Sequence, residues 1–425
     1  MIPKTILGTI LKDQASLFVR LTDTVPRSLL PFASTYQGSS AFVIKGLRRS
    51  GKSTLLQQIS MSRSPQDHLY FNFDDERLIG FTADDFQTLV EVFIELFGKK
   101  NNLYFDEIQN VPGWEVFINR LLREGYCIYI TGSNAHLLSS ELGTYLTGRH
   151  TDIELYPFSF TEYLRSQHMN SPTEGIYSTE EKALFLRAFK EYLSFGGMPE
   201  VVVHRNETIL SQVVNDIIHR DIVTRHNIRK PAELKNVIRF LIANTANAIT
   251  YRSIQNNFRI KSANTIQKYI DYAEETYLLF SVHKYEPKIK QFDKNPKKIY
   301  CVDPGIVARN IPLVGNQGAI LETIVAIQLK RLGIPFYYFS EARTNAECDF
   351  VVPALKHAIQ VCYQFHMNNK EREIKGLIEA LKLLNTKQGY LLTLDQEEQF
   401  VQDGKTIIVK PVWQWLLNNE PKKKE

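Results

Sequence analysis

Between Gly46 and Thr54 the chain reads Gly-Leu-Arg-Arg-Ser-Gly-Lys-Ser-Thr, the residue types and spacing that wrap a phosphate. Gly46 and Gly51 let the backbone curl, so that the N–H groups of Arg48, Arg49, Ser50 and Thr54 face phosphate oxygens. Lys52 brings an ammonium for the β- and γ-phosphates, and the Ser53 hydroxyl is a Mg²⁺ ligand. The arginine side chains face solvent or a partner, because only backbone need touch phosphate. A second group ends an apolar run: in Asn102-Leu-Tyr-Phe-Asp106-Glu107, Asp106 is placed to hold Mg²⁺ opposite Ser53. Glu107 is placed to orient or deprotonate a water; the bland alternative is a solvated acidic turn. After the run Cys127–Thr131 come Ser133 and Asn134, polar groups suited to sensing a γ-phosphate, or an ordinary turn with an Asn cap. Arg149 could stabilise the charge of a leaving phosphate, from its own chain or a neighbour's, or be a surface arginine.

These residues need a scaffold that ends several strands at one edge. Strand-like runs Ala41–Ile44, His68–Asn72, Asn102–Phe105, Cys127–Thr131 and Ile153–Leu155 alternate with helical patterns Ser53–Ser60, Ala83–Leu96 and Trp114–Glu124. That alternation implies a parallel sheet with crossover helices, a P-loop NTPase core over residues 1–157 with a helical lead-in. A helical subdomain is expected over 158–230, with a tight bend at Phe195-Gly-Gly-Met-Pro-Glu200.

Residues 231–310 suggest a winged helix-turn-helix: three helical patterns, then two strand-like runs flanking a basic turn. From Ser281 to Tyr300 there are six lysines (284, 288, 290, 294, 297, 298) and two acids, a net of +4. Such a hairpin beside a helix bearing Gln267 and Lys268 suits DNA backbone contact; protein–protein use is the alternative. Residues 311–418 return to α/β, and 419–425 form a basic tail expected to be disordered.

With 425 residues, two or three domains are expected. Four scattered cysteines without a Cys-x-x-Cys pair argue against a disulfide framework or zinc ribbon and suit a reducing cytosol. The sequence has no run of 18 apolar residues, so no membrane helix is expected, and a net charge of +5 permits nucleic-acid contact without arguing for it.

The runs Gly46–Ser53, Leu103-Tyr-Phe-Asp-Glu-Ile-Gln109-Asn-Val-Pro-Gly-Trp114, Thr131-Gly-Ser-Asn134 and Leu146-Thr-Gly-Arg149 resemble the AAA-type ATPases of bacteria and archaea that carry a C-terminal domain of unknown function. The resemblance spans nearly the whole chain. It implies ATP and Mg²⁺ as cofactors, with Lys52, Ser53, Asp106 and Glu107 as their residues. It also implies a helical subdomain, a winged helix and a restriction-endonuclease-like C-terminal α/β domain, with oligomerisation and a protein partner as options. Glu322, Asp349 and Gln360 fall in an order similar to the PD-(D/E)xK nuclease core. There the expected Glu-x-Lys reads Gln360-Val-Cys362, so a carboxylate and the lysine are missing and the site reads as a relic.

Overall fold

The computed structural model describes residues 1–19, 24–36, 40–63, 66–133, 148–169, 177–286, 295–310 and 316–420. They divide into two compact units, the first made of Met1–Tyr156 with Glu275–Tyr277 and the second of Pro157–Glu274 with Leu278–Lys422.

In the first unit, helices α1 (Lys4–Val19) and α2 (Leu30–Ser34) precede the sheet. Then come β1 (Ala41–Lys45), α3 (Lys52–Arg63), β2 (His68–Asn72), α4 (Asp85–Phe97), β3 (Asn102–Asp106), α5 (Trp114–Arg123), β4 (Cys127–Gly132) and β5 (His150–Glu154). The five strands are all parallel, in the order β2-β3-β4-β1-β5. β1 and β3 are buried at every position because both sheet faces are covered, and so they read as unbroken apolar runs. Alternation along β1 sends Val43 into one core with Phe71, Phe105, Ile130 and Trp114. It sends Phe42 and Ile44 into the other, with Leu55, Ile59, Tyr104 and Tyr129. The last strand begins at His150, three residues before the run expected at Ile153–Leu155.

The second unit opens with α6 (Phe160–Ser166) and α7 (Thr179–Phe195), each started by a Ser/Glu capping box. Next are α8 (Pro199–His204) and α9 (Thr208–Asp216), the latter continued by wider π turns over Ile217–Thr224. The bend between α7 and α8 is anchored from afar: buried Asp303 accepts from Gly197 N (2.7 Å), Gly305 N (2.9 Å) and Ile306 N (3.1 Å). Burial raises that carboxyl to about 6, against three backbone donors that lower it.

Helices α10 (Pro231–Ala243), α11 (Tyr251–Phe258) and α12 (Ala263–Glu275) accompany a three-stranded antiparallel sheet of β6 (Ala248–Ile249), β7 (Leu279–Val282) and β8 (Lys297–Cys301), ordered β6-β8-β7. Helices α13 (Pro304–Asn310) and α14 (Gln317–Arg331) lead to a mixed six-stranded sheet. It comprises β9 (Tyr337–Glu341), β10 (Ala346–Val352), β11 (His357–Val361), β12 (Gln388–Thr393), β13 (Glu398–Gln402) and β14 (Lys405–Pro411), ordered β13-β14-β12-β11-β10-β9. Helix α15 (Met367–Leu383) lies so close on β10 that a Cβ at Gly376 would sit 1.7 Å from the Glu347 carbonyl oxygen. After α16 (Val412–Asn418), Asn419 accepts from the Gln328 amide at 2.7 Å, so the expected tail starts inside packed structure. Residues 421–425 lie outside the described ones. No helix among the described residues is long and apolar enough to cross a membrane.

Candidate nucleotide site

In a parallel sheet, chemistry gathers where strands end and helices begin. The loop after β1 runs Gly46–Gly51 into α3, whose N-terminus carries unpaired N–H groups and partial positive charge. Gly46 has φ 152°, and a Cβ there would lie 2.2 Å from the Leu155 carbonyl oxygen. Gly51 has φ 92°, which an L side chain resists. Arg49 also takes a positive φ, 62°, with an exposed side chain; Arg48 is half-buried. The Lys52 ammonium is buried under the loop, donating to the carbonyls of Gly46 (3.2 Å) and Leu47 (3.1 Å).

Asp106, at the end of β3, is fully enclosed. Burial, then the charge of Glu107, push its carboxyl above the ordinary range, while hydrogen bonds from Ser53, Thr131 and Tyr70 oppose the rise. The Tyr70 hydroxyl donates to Oδ2 at 3.0 Å and the Thr131 hydroxyl to Oδ1. Glu107 follows in the left-handed region (φ 52°), its N–H donating to Thr131 Oγ1 at 3.0 Å. Its carboxylate accepts from the Gln109 amide and from Ser133 Oγ (3.3 Å), and lies 3.8 Å from the Lys52 ammonium. Lys52, Ser53, Asp106, Glu107 and Ser133 therefore meet at one edge of the sheet. Thr131, Gln109 and Tyr70 join them unread from the sequence; Thr131 was visible only as a polar end to an apolar strand.

A hydroxyl and a carboxylate already in hydrogen-bond contact form a donor set that suits Mg²⁺, and the glycine cradle beside them suits phosphate. Arg149 is elsewhere. Its carbonyl accepts from Ala41 N at 2.9 Å, at the start of β1, and its guanidinium donates to Asn119 Oδ1 at 3.1 Å. The phosphate loop follows the other end of that five-residue strand, about 15 Å away at 3.3 Å per residue. A role for Arg149 at its own chain's loop is thereby corrected. Asn134 lies outside the described residues.

The second set of sequence candidates also changes meaning. Glu322, on α14, and Asp349, on β10, do converge, but onto Lys298 of β8. The residue is 2% exposed, and its ammonium lies 3.0 Å from Glu322 Oε1, 3.0 Å from Asp349 Oδ1 and 2.9 Å from Glu347 Oε1. Tyr300 OH donates to Glu322 at 2.6 Å. Burial alone would lower the lysine, yet Glu322 and Asp349, with Tyr300 and Glu347, hold it well above 10.5. Glu322 is driven up by burial and then by the charge of Asp349. Gln360 Oε1 accepts from Asp349 N at 3.2 Å, and its Nε2 donates to buried Glu373 at 2.8 Å. The lysine missing at position 362 is thus matched by an ammonium from a distant strand. Among the described residues no three His, Cys, Asp or Glu are arranged to hold a metal ion. Lys298 cannot meet a DNA backbone from this position, which corrects its inclusion in the basic hairpin. Lys288, Lys290 and Lys294 lie outside the described residues.

Comparison with known proteins agrees with the first unit. Residues 38–164 match the model of an AAA domain. Residues 186–316 and 317–415 match two domains of unknown function, DUF8612 and DUF4143. The uncharacterized protein MJ1544 of Methanocaldococcus jannaschii is 36% identical over 392 residues, 88% of each chain. The chain belongs to the family of MJ1544. An uncharacterized protein of Haemophilus influenzae is 33% identical over 396 residues, covering 88% of this chain and 94% of that one. A structure of the replication initiator DnaA bound to AMPPCP and single-stranded DNA aligns over 64% of this chain and 92% of its own, at 15% identity and TM-score 0.26, too low to carry weight. The parallel sheet, the phosphate loop and the AAA match make the first unit a P-loop domain of AAA type.

Proposed function

We propose that the first unit binds ATP with Mg²⁺ and hydrolyses it to ADP and phosphate. The observation that carries this reading is the meeting of Lys52, Ser53, Asp106 and Glu107 at one strand edge. Gly46, Arg48, Arg49, Ser50, Gly51 and Thr54 supply backbone to the phosphates, and Lys52 leaves the loop carbonyls for the β- and γ-oxygens. Ser53 and Asp106 would hold Mg²⁺, which neutralises phosphate charge when bound. Glu107, once released by Gln109 and Ser133, orients or deprotonates the attacking water. The hydrolytic cycle serves as a switch on a nucleic acid or protein partner, reached through residues 231–310, whose order of three helices and a hairpin supports a winged helix. Phosphate release from radiolabelled ATP tests the reading: Glu107→Gln should lose most turnover while keeping nucleotide affinity. Equal background rates in wild type and variant would reject it.

For the C-terminal sheet the favoured reading is a nuclease-like fold that does not cut. The buried Lys298 charge occupies the space between Glu322 and Asp349 that a divalent cation would need. Plasmid nicking with Mg²⁺ or Mn²⁺ that disappears in Asp349→Ala would reverse that reading.

A further inference from the structure

We propose that Arg27 sets the phosphate-facing geometry of the Gly46–Thr54 loop by fixing the peptide plane between Ser50 and Gly51, an inference that rests on the nucleotide reading above. Arg27 precedes α2 and belongs to no motif. The residue is 4% exposed. Nη1 donates to the Ser50 carbonyl at 2.7 Å and Nη2 to the Tyr156 carbonyl at 2.6 Å. The segment carrying it is tied to the helix that the loop feeds. On α3, Gln58 Oε1 accepts from Arg27 N (3.3 Å), and Gln58 Nε2 donates to the Val25 carbonyl (2.9 Å) and Thr24 Oγ1 (3.0 Å).

The Ser50 residue is fully buried and stands before the first turn of α3. A buried carbonyl there is costly to leave without a donor, and Arg27 supplies one. A trans peptide is planar, with its carbonyl and N–H opposed. Holding the Ser50 oxygen on the guanidinium therefore turns the Gly51 N–H to the opposite face of the loop, where phosphate is expected. The φ of 92° at Gly51 lets the chain then enter α3.

The second contact braces the same loop at its other end. Leu155 N donates to the Lys45 carbonyl at 2.7 Å, and Gly46 packs directly on the Leu155 carbonyl. Tyr156, the next residue, gives its carbonyl to Arg27. One planar fork thus ties the loop's second glycine to the segment that touches its first. A lysine there would replace the rigid two-pronged fork with one compact ammonium on a flexible stem, which does not hold the two carbonyls in a fixed mutual orientation. Arg27 is a positioning residue: it acts through backbone and touches no nucleotide.

The test is calorimetric titration of the full chain with MgATP and MgADP, using wild type, Arg27→Lys and Arg27→Met, each checked by circular dichroism and thermal midpoint. Arg27→Lys should keep a midpoint close to wild type and lose about tenfold or more in affinity for both nucleotides, about 1.4 kcal/mol. The loss is shared because both nucleotides carry the β-phosphate. Arg27→Met should lose at least as much; if it fails to fold, Arg27→Lys alone decides. Wild-type affinity in a folded Arg27→Lys overturns the proposal. So does an affinity loss seen only where the variant has begun to melt, which marks a purely structural role. A wild type that binds neither nucleotide rejects the nucleotide reading instead.

Discussion

Replacing Lys298 with alanine removes the ammonium that faces Glu322, Asp349 and Glu347 at 2.9–3.0 Å. At 3 Å and an effective dielectric of about 20, each contact is worth about 5 kcal/mol before desolvation. Glu347 is 53% exposed at its side chain, so its share is screened to about 1 kcal/mol or less. The contacts to Glu322 and Asp349 are buried, and most of their attraction offsets the cost of taking three charges out of water. What the variant loses is therefore the compensation: two enclosed carboxyl groups without a counter-charge, a loss of about 3–5 kcal/mol. Hydrogen exchange on peptides from β8, β10 and β11 reads this directly. Protection there should fall by about two to four orders of magnitude, with the first unit unchanged. Millimolar Mn²⁺ should restore part of the protection in the variant, because the vacated space faces carboxylates, and should do nothing to the wild type. A loss below about tenfold would refute the claim that Lys298 neutralises the cluster. Mn²⁺ protection of the same strands in the wild type would refute the claim that the lysine excludes a metal.

Asp303 gives a pH signature: with its native pKa about 6 against an ordinary 3.8, the folded state binds the proton more tightly than the unfolded one. Stability from this group is thus fully present below about 4 and is lost as pH rises through about 6, by about 3 kcal/mol. Urea midpoints should fall across that window more steeply in wild type than in Asp303→Asn; parallel slopes would contradict the assignment. Gly376→Ala should separate α15 from β10, costing about 3 kcal/mol or more in urea unfolding, since its Cβ would overlap the Glu347 carbonyl; a midpoint like wild type would mean the helix can move aside freely. Arg149→Ala, measured at a dilution that keeps chains apart, should leave MgATP affinity unchanged, and a tenfold loss would contradict its placement at the far end of β1.

Most of the first unit follows from local patterning along the chain. Its strands β1 and β3 are enclosed on both faces, so Phe42–Ile44 and Leu103–Phe105 appear as bare apolar runs, and the phosphate loop is contiguous in the chain. Lys52, Ser53, Asp106 and Glu107 sit at fixed offsets from strand ends, which local patterning reveals. The C-terminal sheet was less legible. Strand β13, Glu-Gln-Phe-Val-Gln, is an exposed edge strand with no apolar alternation to mark it. Helix α15 did carry a signal, Ile374, Leu377, Ile378 and Leu381 at helical spacing, which passed unread amid its charges. The surroundings of Lys298, Arg27, Asp303 and Arg149 are set by packing between segments far apart in the chain. Lys298 meets Asp349 across 51 residues and Arg27 meets Tyr156 across 129. Asp303 reaches Gly197 across 106. Charge pairing and carbonyl capping act through space and leave no periodicity in the chain, so an isolated Lys or Arg looks the same whether it is solvated or buried at the centre of a cluster.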